Sequence, residues 1–212
     1  MARRDRPLFA RWYPQAAASL EDRGLGELRE HLLAGVEGRV LEVGCGHGAN
    51  FPHYPEAVTE LVAVEPEERL RGLAREQAER LGLRVTVVDG RAERLPVESG
   101  TFDAIVATLV LCSVEDQDEA IAEIGRVLKP GGVLVCLEHV ASANRAIRLG
   151  ERVFDAVFWS HVFGGCHTGR DTAAAIERAG FDIGGMAPHR VPGLPFPLKV
   201  SPHLVGAARK RA

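Results

Sequence analysis

Between residues 39 and 140, short apolar runs alternate with segments whose apolar residues recur at helical spacing, and this alternation is what most constrains the fold. Apolar runs without polar alternation are typical of strands buried on both faces, as in a parallel sheet covered by helices. We therefore predict an α/β fold with a mostly parallel, Rossmann-like sheet. The predicted strands are Arg39–Val43, Glu60–Val64, Arg84–Val88, Thr101–Thr108 and Val133–Val140.

The two ends of the chain follow other patterns. Phe181–Met186 and Ser201–Ala208 have strand character and are separated by a proline-rich loop, which favours a C-terminal antiparallel hairpin at the sheet edge. Residues 1–37 are amphipathic, and we expect helices there that cap the carboxyl ends of the strands, where open α/β sheets bind ligands. The interpretation is one domain over residues 1–212, with a cap (1–37), a cofactor-binding half (38–140) and a substrate-side segment (141–212).

Composition excludes several classes of protein. The 212 residues are 46% hydrophobic and 26% charged with a net charge of −3, so nothing in the overall charge favours nucleic acid. The N-terminus lacks the apolar core of a signal peptide, and the longest nearly apolar run, Ala104 to Val114, is far shorter than the ~20 residues that span a bilayer. We expect a cytoplasmic protein without a membrane anchor. The oligomeric state is left open.

The cysteines give no sign of a metal site or a disulfide framework. All 4 stand apart in the sequence, without a C-x-x-C pair and without a histidine at ligand spacing. We therefore expect no metal and a reducing compartment. The cysteines are Cys45, Cys112, Cys136 and Cys166.

The first predicted strand ends in the glycine-rich run LEVGCGHG, residues 41–48. Gly44, Gly46 and Ala49 fit the dinucleotide fingerprint, and Glu65 lies about twenty residues further on, where an acid binds ribose hydroxyls. S-adenosylmethionine needs the same acid. Glu42 favours this second ligand, because a carboxylate suits an amine or a sulfonium and is poorly placed beside a pyrophosphate.

The sequence resembles the class I S-adenosylmethionine-dependent methyltransferases through four ordered blocks: LEVGCGHG, VAVEPEE, GRAERLPVESGTFDAIV and IGRVLKPGGVLVCLEHV. The resemblance implies S-adenosylmethionine as cofactor and S-adenosylhomocysteine as product. Family members often have Asp where this chain has Arg91, so the adenine would be held by backbone groups around Ala92 or by Glu93. The implied cofactor-binding residues are Glu42, Gly44, Cys45, Gly46, Gly48, Glu65, Pro66, Arg91, Ala92, Glu93, Thr108 and Leu109; Tyr13 of the cap would either close over the cofactor or only pack.

A narrower resemblance suggests the acceptor. GANFPHYP, ATLVLCSV, LKPGGVLVCLEHV and GGCHTGRDT are similar to the methyltransferase-like alkyl-thiol S-methyltransferases. Those relatives carry an apolar N-terminal anchor, and residues 1–30 do not. The hypothesis is a methyltransferase acting on a small, apolar or aromatic molecule, with a thiol favoured. The alternatives are an O- or C-methyltransferase of a quinone or natural product, a non-catalytic S-adenosylmethionine-binding module and, least favoured, a dehydrogenase.

Candidate residues for the acceptor follow the fifth strand or lie in the cap. His139 ends that strand and is the candidate catalytic residue, because a thiol is partly ionised at neutral pH and needs little more than a nearby histidine. Packing is the alternative role for these histidines and for the aromatic stripe at 154–163, and it is the favoured role for His161. The predicted substrate residues are Trp12, Phe154, Phe158, His161, Cys166 and His167.

Overall fold

Seven strands form a single sheet in the order β3-β2-β1-β4-β5-β7-β6 in the computed structural model. The structure describes residues 7–142, 144, 148–150, 155, 164–191, 193–194 and 202–211. The strands are β1 (Gly38–Val43), β2 (Val58–Val64), β3 (Val85–Val88), β4 (Phe102–Thr108), β5 (Leu128–His139), β6 (Phe181–His189) and β7 (His203–Lys210). The helices are α1 (Pro7–Leu20), α2 (Gly26–Leu33), α3 (Glu68–Arg80), α4 (Gln117–Val127) and α5 (Thr172–Arg178), with a π-helical turn at Glu21–Leu25 and a short 3-10 turn at Phe51–His53.

The pairing of the strands confirms the predicted fold class. Strands β1 to β5 run parallel to one another, whereas β7 is antiparallel to both β5 and β6 and lies between them. The C-terminal hairpin therefore extends the sheet at the β5 edge, as expected from its sequence.

Helices cover both faces of the sheet, and each face has its own apolar core. Residues of α4 and α5, among them Ile121 and Ile176, pack on one face with Phe102 and Ile105. Residues of α2 and α3 pack on the other face, where Phe51 is fully buried. Burial on both faces is why the strands have continuous apolar sequences. Within the described residues, no helix is both long enough and apolar enough to cross a bilayer.

Most strand ends differ from the prediction by one to three residues, and two further differences affect pairing or burial. Strand β5 begins at Leu128, five residues before the predicted start, because Leu128 pairs with Phe102 across a register shift. This irregular pairing lets Lys129–Gly132 join the sheet, although Pro130 and the glycines favour a turn. The spacing of Leu81 from Ala74 and Ala78 predicts that it shares the buried face of their helix, but Leu81 follows α3 as its C-cap and is exposed.

Candidate active site

A cavity opens at the carboxyl ends of β1, β2, β4 and β5, where the sequence predicts the ligand site. Its floor includes Gly44 and Gly46 of the loop after β1. Most of the predicted site residues line it: Tyr13, Gly44, Gly46, Glu65, Pro66, Arg91, Ala92, Glu93, Thr108, Leu109, His139 and Cys166. Phe154, Phe158 and His161 lie outside the described residues.

The loop after β1 depends on glycine for its shape. Gly44 has a φ of 65°, in the left-handed region, and a Cβ at this position would lie 2.4 Å from Val110 Cγ2. Gly46 also has a positive φ, but a Cβ there would meet only the ring of Tyr13, at 3.6 Å. The loop backbone is therefore bare on the cavity side, and Tyr13 of α1 covers it.

The carboxyl of Glu65, which follows β2, is held against this loop. It accepts hydrogen bonds from the backbone N–H of Gly46 at 2.9 Å and from that of Glu67 at 2.9 Å. Burial raises the pKa of Glu65 to about 7, against the effect of these two bonds. Both carboxyl oxygens are thus fixed in place, and their remaining lone pairs can accept hydrogen bonds from a pair of hydroxyls.

Glu42 does not line the cavity, contrary to the place expected for it beside the glycine loop. Successive side chains of a strand point to opposite faces, and it is Val43 that faces the cavity. The buried carboxyl of Glu42 accepts hydrogen bonds from Asn50 Nδ2 at 3.0 Å and from the hydroxyl of Tyr54 at 2.9 Å. Burial raises the pKa of Glu42 to about 7. Its contacts are therefore with the protein behind the loop.

Arg91 and Glu93, which the sequence places beside the adenine, form ion pairs with neighbouring side chains. Arg91 forms ion pairs with Glu93 at 3.3 Å and with Glu115 at 3.1 Å. The carboxylate of Glu93 also accepts a hydrogen bond from the backbone N–H of Glu115 at 2.9 Å. Both side chains are thus engaged with each other and with Glu115, and the buried Ala92 between them also lines the cavity.

At the other end of the cavity, three reactive side chains meet. Cys166 Sγ lies 3.3 Å from His139 Nδ1, Cys112 Sγ lies 3.9 Å from the same nitrogen, and the two sulfurs are 3.5 Å apart. All three residues are buried and line the cavity. The cysteines stand apart in the sequence, but the fold brings Cys112 and Cys166 together beside a histidine.

The backbone beside this cluster is under strain. Leu109 has a φ of 59°, and every other described residue in the left-handed region is a glycine. Its N–H donates to the carbonyl of Leu137 at 2.7 Å, which holds the turn after β4. Strain of this kind is concentrated at functional sites.

Four predicted residues lie beside the cavity without lining it: Trp12, Cys45, Gly48 and His167. Trp12 packs edge-on against Phe9, whose own ring stacks on Tyr13 at 4.6 Å. The N–H of His167 donates to the carbonyl of Cys112 at 2.8 Å and so ties the loop of Cys166 to the turn after β4. These residues support the cavity wall.

Comparison with known proteins gives matches to methyltransferases. A family model described as "Methyltransferase domain" matches residues 41–136. Thiol S-methyltransferase TMT1B of Mus musculus is 38% identical over 184 residues, which span 84% of this chain and 74% of the relative. The chain belongs to the thiol S-methyltransferase family. It is therefore an S-adenosylmethionine-dependent methyltransferase.

Solved methyltransferases share the fold at lower identity. A putative methyltransferase from Bacillus halodurans has a TM-score of 0.72 at 18% identity, over 87% of this chain and 98% of its own. A geranyl diphosphate methyltransferase in complex with S-adenosylmethionine has a TM-score of 0.69 at 17% identity, over 89% of this chain and 85% of its own. At these identities the similarity concerns the fold alone.

Among the buried charged residues that the sequence prediction lacks, Arg29 and Glu138 contact the parts of the chain that line the cavity. Arg29 of α2 forms an ion pair with Glu21 at 3.0 Å and donates hydrogen bonds to Asn50 Oδ1 at 2.7 Å and Thr108 Oγ1 at 2.9 Å. Glu138 accepts three backbone hydrogen bonds from residues 110–112, at 2.9 to 3.1 Å. The sequence does not distinguish Arg29 from the other charged residues of an amphipathic helix. Glu138 could have been recognised, because a carboxylate inside an apolar strand is rarely buried without hydrogen-bond partners.

Proposed function

We propose that this methyltransferase transfers the methyl group of S-adenosylmethionine to the sulfur of a small, apolar or aromatic thiol. The observation that carries the proposal is the continuity of the cavity. It runs from the bare loop at Gly46 and the carboxyl of Glu65, past Leu109, to a wall of Cys112, His139 and Cys166. The lining is largely apolar at the acceptor end, which suits an apolar molecule with a single reactive atom.

In this proposal the chain's residues hold the cofactor along one side of the cavity. Glu65 accepts hydrogen bonds from the two ribose hydroxyls, Gly44 and Gly46 leave room for the methionine part, and backbone groups around Ala92 contact the adenine. S-Adenosylmethionine supplies the methyl group as an activated sulfonium. The protein then has to position the acceptor and exclude water, which in well-oriented reactions can lower a barrier by roughly 7–11 kcal/mol.

His139 is the catalytic residue proposed at the acceptor end, together with the two thiols around it. Three features support a thiol acceptor: the buried sulfur and nitrogen atoms on this wall, the strained turn at Leu109 beside them, and the thiol S-methyltransferases among the relatives. The described cavity wall carries no stripe of basic side chains that would suit a nucleic acid.

Pairs of acceptors that differ in one atom test the proposal. One pair is thiophenol and phenol, and the other is benzyl mercaptan and benzyl alcohol. Each compound is incubated with the methyltransferase and labelled S-adenosylmethionine, and methylated products are identified by mass spectrometry. Reactions without protein correct for spontaneous methylation of thiols. We expect turnover of both thiols and none of either oxygen analogue. Methylation of phenol or a hydroquinone but of no thiol would favour the quinone or natural-product alternative, and cofactor binding without turnover of any acceptor would favour a binding module.

A further inference from the structure

We propose that Cys112, Cys166 and His139 Nδ1 form a binding site for a zinc ion whose fourth coordination position faces the acceptor end of the cavity. The three ligand atoms lie 3.3 to 3.9 Å apart. Two thiolates and one imidazole are a donor set that zinc prefers, and three protein ligands with one open position are typical of zinc sites that bind a substrate.

The separations match the size of a zinc coordination sphere. With Zn–S of ~2.3 Å and Zn–N of ~2.0–2.1 Å, a tetrahedral site places two sulfurs about 3.8 Å apart and a sulfur and a nitrogen about 3.5 Å apart. The observed S–S separation is 3.5 Å, and the two S–N separations are 3.3 and 3.9 Å. A point about 2.3 Å from both sulfurs and about 2.05 Å from Nδ1 therefore exists, less than about 1 Å outside the plane of the three atoms, as a tetrahedral site requires.

The ligands are held in place by the surrounding backbone. Glu138 accepts hydrogen bonds from the N–H groups of three successive residues ending at Cys112, and the N–H of His167 donates to the carbonyl of Cys112. His139 ends β5, next to Glu138 in the chain. The turn that carries Cys112, the loop that carries Cys166 and the strand that carries His139 are thus connected to one another without the ion.

Charge and hydrogen bonding favour occupation by a divalent cation. Two thiolates neutralise Zn²⁺, so the filled site carries no net charge in a buried position. Without the ion, the buried ring of His139 has only two thiols beside Nδ1, which are weak hydrogen-bonding groups, and Nε2 has no partner among the described residues. Burial of such a poorly partnered ring is costly.

The open position gives the site a role, and this part of the inference rests on the proposed thiol acceptor. A thiol that binds at the fourth position loses its proton to solvent and is held as a thiolate beside Leu109. Its sulfur lone pair forms the new S–C bond as the C–S bond of the cofactor breaks, which yields a thioether and S-adenosylhomocysteine. His139 then acts on the acceptor through the ion rather than by accepting a proton.

Metal content of the untagged full-length chain tests the site directly. The protein is equilibrated with zinc, freed of excess by gel filtration and analysed by mass spectrometry of the metal. We expect one zinc per chain, at least a tenfold loss of zinc in Cys112→Ser and Cys166→Ser, and no loss in the matched control Cys136→Ala, which removes another buried free thiol of β5. Substitution by cobalt should give thiolate charge-transfer absorption that both serine variants lack. Binding of S-adenosylhomocysteine shows which variants are folded.

A second measurement needs no variant. In the zinc-loaded wild type, Cys112 and Cys166 should be protected from iodoacetamide, and both should become reactive after a chelator is added while S-adenosylhomocysteine binding persists. Folded protein that takes up neither zinc nor cobalt, uptake that survives both serine substitutions, or a disulfide between the two cysteines would overturn the proposal.

Activity separates this inference from the proposed function. Thiol methylation that persists at the full rate in metal-free protein would refute the role given to the open position of the zinc ion and leave the thiol acceptor standing. Stoichiometric zinc in a protein that methylates phenols but no thiol would refute the thiol acceptor and the role given to the open position.

Discussion

The affinity for S-adenosylhomocysteine should rise with pH because of Glu65. Burial raises the pKa of this carboxyl to about 7, and its two oxygens are oriented by the N–H groups of Gly46 and Glu67. Ribose hydroxyls donate more strongly to a carboxylate than to a carboxylic acid. The ligand should therefore bind more tightly to protein molecules in which Glu65 is ionised.

The size of the effect follows from the titration of one group. If only the ionised form binds, the observed Kd at pH 6 is about elevenfold above its high-pH limit, and at pH 8 it is within ~10% of that limit. The affinity should therefore increase about tenfold between these pH values, or about 1.4 kcal/mol. Glu67 raises the pKa of Glu65 further and Arg71 lowers it, and both effects are smaller than that of burial.

Isothermal titration of S-adenosylhomocysteine at pH 6, 7 and 8 measures this dependence. Glu65→Gln should abolish it and weaken binding at pH 8 by one to two orders of magnitude, roughly, because the ribose loses a charged acceptor. Glu60→Gln, on the exposed half of the same strand, should keep the full dependence. Glu42→Gln should keep it too, since Glu42 titrates near the same pH but does not line the cavity. A flat wild-type profile, or a profile that survives in Glu65→Gln, would refute the assignment of Glu65 to the ribose.

Two further predictions concern stability. The pKa of Glu42 in the folded protein is about 7, above its ordinary value of 4.5, so its contribution to the free energy of unfolding falls as the pH rises from about 4.5 through 7. Glu42→Gln should therefore melt like the wild type near pH 4.5 and be more stable than the wild type at pH 8, by up to about 3 kcal/mol. If the variant and the wild type melt at the same temperature at both pH values, the pKa of Glu42 is not raised by burial. Gly44→Ala should destabilise the fold by about 2 kcal/mol or more and abolish S-adenosylhomocysteine binding, because its Cβ would lie 2.4 Å from Val110 and the backbone is in the left-handed region. The control Gly72→Ala in α3, where a Cβ would have no atom within 4 Å, should be neutral or stabilising. Unchanged ligand binding by Gly44→Ala would refute the close packing of the loop.

The sheet and the position of the cavity could be predicted from the sequence because both depend on local signals. Strands buried on both faces have continuous apolar sequences, and parallel strands bring their carboxyl ends to one edge. This places the glycine loop, Glu65, Thr108 and His139 together without knowledge of any side-chain contact. The direction of Glu42 was also readable, since alternation along β1 puts it on the opposite face from Val43. The prediction for Glu42 followed instead from the chemistry of a carboxylate beside an amine or a sulfonium.

The cluster at Cys112 could not be predicted in the same way, because its members are far apart in sequence. His139 is 27 residues from each cysteine, whereas the recognisable metal motifs bring two ligands within a few residues on one turn or helix. Here the ligands come from three elements: the turn after β4, the end of β5 and the loop before α5. Strand order decides their meeting, since β4 and β5 are neighbours, and the hydrogen bond from His167 fixes the third element against the first. Where adjacent parallel strands end side by side, residues at those ends become neighbours in space whatever their separation in sequence. Paired strand ends, rather than sequence spacing, are therefore the place to look for metal-ligating residues in an α/β sheet.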